Sequence, residues 1–106
     1  MTQSSNHPSN DKQSDLVQQL KKLVQNLERY LIAYEKEISE KRHILLDKIT
    51  AEIELINDIT TSMKKEVRVV VGRLVKHWPL FLQHPTEDNF AVICQEVATV
   101  YESLLH

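Results

Sequence analysis

The chain has 106 residues, with 15 Asp and Glu against 13 Lys and Arg for a formal net charge of −2, and it contains one glycine, three prolines and one cysteine. That length leaves room for one domain at most, and so little glycine and proline removes the punctuation that β-rich folds need at their turns. Nearly balanced charge gives no overall electrostatic reason for nucleic acid or an anionic membrane as the main partner, and one cysteine excludes an intramolecular disulfide.

Residues 1–14, MTQSSNHPSNDKQS, carry no aliphatic side chain after Met1. Such a segment buries too little surface to offset the cost of ordering, which predicts a disordered polar tail. It also lacks the apolar core and basic start of a secretory signal, so the expected location is intracellular, cytoplasmic or nuclear.

From Ser14 and Asp15, either of which can cap a first turn, apolar residues recur at helical spacing. The stripe is Leu16, Leu20, Leu23, Leu27, Tyr34, Ile38, Leu45, Ile49, Ile56, Met63, Val67, Val70 and Leu74, in steps of three, four or seven. No proline interrupts it before Pro79. The pattern predicts one long amphipathic helix over 15–78, roughly 95 Å in length at 1.5 Å per residue. No domain of this size covers such a helix alone, so the stripe must meet another chain or fold back on itself. The best internal break is the polar run Ser39-Glu40-Lys41-Arg42-His43, yet it holds neither Gly nor Pro, and Glu37 with Lys41 forms a favourable i,i+4 pair across it. Continuity is therefore the expectation. Mixed spacings of seven and eleven along the stripe imply a nearly straight supercoil rather than a uniform zipper. In the stretch VRVVVGRLV, Val69, Val71 and Val75 lie off the main stripe, which implies packing on two sides.

Pro79 is expected to end this helix, residues 79–85 to form a connecting turn, and Thr86 to cap a second amphipathic helix over 86–106. Glu87 and Asp88 suit its first turn, and Phe90, Ile93 or Cys94, Val97, Tyr101 and Leu104 give it an apolar face. The expected fold is all-α, with the C-terminal helix packing back as a hairpin on the basic end of the long one. Residues 79–106 hold Glu87, Asp88, Glu96 and Glu102 with no Lys or Arg, which favours that pairing.

No constellation for chemistry emerges. His43, His77, His84 and His106 lack the i,i+3 or i,i+4 pairing of a helical metal site, and one glycine cannot build a phosphate cradle or a nucleophile elbow. Cys94 falls beside Ile93 on the presumed buried face, where a thiol behaves as a small hydrophobe. Catalytic, cofactor-binding and metal-ligating residues are thus all read as none.

Two binding features remain. Lys64, Lys65, Arg68, Arg73 and Lys76 spread over about half of the helix circumference away from the stripe, an anion-binding face that lacks interleaved aromatics. Trp78 and Phe81 are either aromatic anchors for a partner or a plug for the hairpin against Phe90. The functional expectation is a non-enzymatic interaction and assembly subunit, a scaffold contributing a coiled-coil seam to a homo- or hetero-oligomeric complex. Its partners would be protein helices, from its own copies or other small helical subunits. The alternative is a small nucleic-acid-binding accessory protein using the face from Lys64 to Lys76. The longest apolar runs, such as Val69-Val70-Val71, fall far short of the roughly 20 residues of a membrane span.

Overall fold

The computed structural model describes residues 8–105, with side chains from residue 14 onward. Four helices follow one another: α1 (Pro8–Lys36), α2 (Arg42–Thr60), α3 (Lys65–Gln83) and α4 (Glu87–Ser103). Each packs on the next and α4 returns to α1, so the helices enclose one core as an up-and-down bundle joined by short connections.

The core repeats at threes and fours on every helix. Its members are Leu20, Val24, Leu27, Leu31 and Tyr34 on α1, and Ile49, Ile53 and Ile56 on α2, with Thr60 closing that row. Val67, Val71, Leu74, Trp78 and Phe81 continue it on α3, and Ile93, Val97 and Val100 on α4, with Leu104 just beyond the helix. A 3-4 alternation keeps one narrow stripe inward on a nearly straight helix, the geometry by which bundles interlock. Burying each such side chain contributes about 1.5–3 kcal/mol before the entropy of ordering is subtracted. α3 packs against both α2 and α4, which gives its apolar residues two neighbours to meet.

The expected continuous helix over 15–78 is three helices, reversed at 37–41 and 61–64. Neither reversal uses glycine, and no described residue has a positive φ. Polar side chains do the work instead. At the first, the Ser39 amide donates to Glu37 Oε1 at 3.0 Å and the Lys41 amide to Ser39 Oγ at 3.2 Å, replacing helical partners. The Ser39 hydroxyl and then the Ser39 amide, both on the Glu37 carboxyl, hold it below the usual glutamate range. Arg42 then ties the two helices, its Nε donating to the Tyr34 carbonyl at 3.1 Å and its guanidinium lying 4.0 Å from the Tyr34 ring centre. That carbonyl lies in the last turn of α1, where i+4 partners run out, and it also accepts from the Glu37 amide at 3.2 Å.

At the second reversal three successive hydroxyls fold back onto the last turn of α2. Thr60 donates to the Asn57 carbonyl at 2.9 Å, Thr61 to Asp58 at 2.8 Å and Ser62 to Ile59 at 3.4 Å. Hydroxyls that compete for carbonyls in this way weaken helix continuation. Met63 sits in this connection, buried, rather than on a helical seam.

Two further boundaries differ from expectation. α1 begins at Pro8, taking in residues 8–14 of the segment read as a tail, whereas residues 1–7 of it lie outside the described residues. Proline is compatible with a first helical position because its missing N–H has no helical partner there. Pro79 does not end α3, which runs through it to Gln83. The lost amide bond costs about 3 kcal/mol, but burial of Trp78 and Phe81 on either side favours the helix. The connecting turn therefore shortens to 84–86, where Thr86 Oγ1 accepts from the Asn89 amide at 3.1 Å and Asn89 Nδ2 donates to the His84 carbonyl at 2.7 Å.

An aromatic cluster joins α1, α3 and α4 at this end. Phe81 lies with its ring centre 5.9 Å from that of Tyr34, 5.4 Å from Trp78 and 5.8 Å from Phe90. Trp78 also brings a polar atom inward, and Nε1 donates to Thr50 Oγ1 on α2 at 2.8 Å, which in turn donates to the Leu46 carbonyl. This bond fixes the register of α3 on α2. Replacing Thr50→Val removes the acceptor at nearly constant shape, and the expected loss of stability is about 1–3 kcal/mol by urea denaturation, with Thr50→Ser close to wild type. Equal stability of Thr50→Val and wild type would show that the bond sets nothing.

Candidate functional site

Helices α1 and α4 are the neighbouring pair that packs most sparingly, and a groove opens between them. Two adjoining cavities of about 560 and 350 Å³ form it and share Glu35, Phe90 and Cys94 in their lining. Leu31, Tyr34 and Phe81 lie at its floor, being buried core residues, and Val97 continues the floor along α4. The groove exists because the α4 positions on this side, Ala91 and Cys94, are small. Cys94 lines the same cavity as Ile32, which stays 55% exposed on α1.

The rim is acidic. Glu28 and Glu35 line it from α1 and Glu87 from the first turn of α4, and none of the three forms an ion pair with a described residue. The one cation in the lining, Arg42, has its Nε committed to the Tyr34 carbonyl. The groove is thus a trough with an apolar floor and polar, mainly acidic walls, a chemistry suited to holding an apolar stripe flanked by positive charge.

Cys94, read from sequence as a buried thiol, is exposed on the groove wall, and Ile93 takes the core position beside it. The periodicity alone did not separate these adjacent residues. Partial burial pushes the Cys94 thiol up, and the Glu35 carboxylate adds to that shift. No three His, Cys, Asp or Glu side chains converge as a metal site among the described residues. His77 Nδ1 lies 3.5 Å from Glu96 Oε1, a contact between α3 and α4 that becomes an ion pair when the imidazole is protonated.

Most of the residues read as an intermolecular seam face the chain's own core. Leu20, Leu27, Tyr34, Ile49, Ile56, Met63, Val67 and Leu74 are buried, and Leu16, Leu23, Leu45 and Val70 pack half-buried against them. Ile38 lies apart in the first reversal, 90% exposed. Trp78 and Phe81, the suggested anchors, are buried in the aromatic cluster. The suggested anion-binding residues Lys64, Lys65, Arg68, Arg73 and Lys76 are all exposed, on α3 and at its N-cap. Gly72 stands in their midst, and a Cβ built there would meet nothing within 4 Å. The groove itself escaped the sequence because its walls are 60 residues apart in the chain; the smallness of Ala91 and Cys94 was the available signal.

A raised thiol pKa on an exposed wall has a direct consequence. Cys94 should label completely with iodoacetamide in the native protein, with a pH midpoint above that of a free cysteine peptide. Glu35→Gln should move the midpoint down, because the neighbouring negative charge no longer opposes the thiolate. Labelling only under unfolding conditions would contradict the open groove. Compared with known protein families, with curated proteins and with solved structures, the chain matches none.

Proposed function

We propose that this chain is a non-enzymatic helical interaction subunit that receives an amphipathic helix in the groove between α1 and α4. The observation that carries this reading is the combination in one groove of an apolar floor, an exposed Ile32 and three carboxylates without ion-pair partners among the described residues. Docking a helix there removes Ile32 and Phe90 from water and supplies cations to Glu28, Glu35 and Glu87. Helix-in-groove recognition works in this way, with apolar anchors at i, i+3, i+4 and i+7 giving affinity and flanking charges giving orientation.

The reading shifts the interface from the Leu16 to Leu74 stripe, which the bundle uses internally, to the outside of the bundle. It also favours protein over nucleic acid as the partner class. The groove is acidic, and the basic face on α3 offers exposed Val69 and Leu80 rather than aromatic rings on which bases stack. Among the described residues no helix is long and apolar enough to cross a membrane.

A labelled peptide of about four helical turns, with leucines at helical spacing flanked by lysines, tests the proposal by fluorescence anisotropy. Saturable binding is expected, weakened at higher salt and lost in Ala91→Trp, whose indole fills the groove from the exposed side of α4. Equal binding by wild type and Ala91→Trp, or none by either, would refute it.

A further inference from the structure

We propose that the helix received by the groove is α3 of a second copy of this chain. The inference rests on the reading of the groove as a helix-docking site and names its occupant. What the groove asks for is a short helical crest with small or aliphatic residues along its middle and cations beside them. The outward side of α3 has that composition. At 100° per residue, Lys65, Val69, Gly72, Lys76 and Leu80 fall within roughly 80° of one another, with Arg68 and Arg73 on the two flanks. All seven are exposed.

Three observations tie crest to groove. The first is charge. Lys65, Arg68, Arg73 and Lys76 form no ion pair with a described residue, and neither do Glu28, Glu35 and Glu87 across the molecule. Two sets of opposite, unpaired charges on separate faces are complementary between copies and out of reach of each other within one. The second is Gly72. Glycine disfavours a helix interior, and nothing in the chain's own packing requires it here, since a Cβ would meet no atom within 4 Å. A crest with no side chain at its centre lets a helix backbone settle deeper into a trough. The third is placement. The groove lies between α1 and α4, whereas the crest is on the solvent side of α3, between its contacts with α2 and α4. Each copy therefore offers both surfaces at once.

Contact between two different surfaces is head-to-tail, so association propagates or closes into a ring rather than stopping at a twofold dimer. One helix in one groove is a small interface, and the association is accordingly weak, concentration-dependent and sensitive to salt.

The test is light scattering on the purified full chain over a concentration series, with two variants. Ala91→Trp fills the groove and leaves the crest intact, whereas Arg68→Glu with Lys76→Glu reverses the crest and leaves the groove intact. Glu28→Gln with Glu35→Gln is a second, gentler groove variant, and circular dichroism checks that each folds. The expected result is a wild-type mass that rises with concentration and falls at roughly 0.5 M salt, where charge interactions are screened within a few ångströms. Each variant alone should stay monomeric. An equimolar mixture of Ala91→Trp with the crest variant should give dimers that grow no further, because one productive contact remains. A wild type monomeric at every concentration would overturn the proposal. So would self-association that all variants retain, or a crest that binds duplex nucleic acid while the chain stays monomeric. The groove reading fails separately, only if the basic amphipathic peptide also ignores Ala91→Trp.

Discussion

An apolar stripe that recurs every three or four residues for some sixty residues has to be covered, and the whole structure depends on two chain reversals that let the stripe cover itself. Each reversal is made without left-handed backbone, by side chains that take over the hydrogen bonds of a helix end. Arg42 ties the two helices across the first reversal, since one guanidinium serves both a terminal carbonyl of α1 and the ring of Tyr34. Once the chain has turned at Ser39 and again at Thr61, Leu27, Ile49 and Leu74 can meet in one core instead of lining a rod, and the turn at 84–86 adds Ile93 to it.

That folding-back sets what the surface offers. Most of the heptad positions that would zip to a partner are spent, and the apolar residues left exposed are scattered, among them Ile32 in the groove, Ile38 and Ile44 at the first reversal, Leu55 on α2, and Val69 and Leu80 on α3. The groove follows from the order of the helices. Consecutive helices are held together by their connections as well as by packing, whereas α1 and α4 meet as the two ends of the series, with Phe90 of α4 stacked on Tyr34 of α1 at 5.5 Å between ring centres. The seam between the first and last helices is thus the one left imperfectly filled.

Much of the fold was legible in the residues. The 3.6-residue period marks all four helices, and the scarcity of glycine and proline argues for helix throughout. The reversals were harder to read because their signals are weak individually. Ser39 was within the polar run singled out as the best break, but a favourable Glu37 and Lys41 pair argued for continuity, and a few tenths of a kcal/mol decided nothing against closure of a core. The Thr60-Thr61-Ser62 run is a weak signal because hydroxyls inside a helix are usually tolerated, and only three in succession at a point where α3 can return make a stop. Pro79 misled in the opposite direction, since burial of Trp78 and Phe81 outweighs one missing amide. Of the candidate sites, the basic residues of α3 were legible because exposure of Lys and Arg on a helix follows from the stripe opposite them. The groove depends on how two distant helices meet and has no local signature.

The account turns on whether one chain suffices to bury its own stripe. The measurement is helicity by circular dichroism, with the thermal transition, as the protein is diluted below the concentration at which light scattering detects any association. Strong helicity and a cooperative transition that persist in the dilute monomer are what a self-closed bundle predicts. Helicity that falls in step with dissociation would mean that the stripe is covered by other chains, and the four-helix arrangement would not be the state of the isolated molecule.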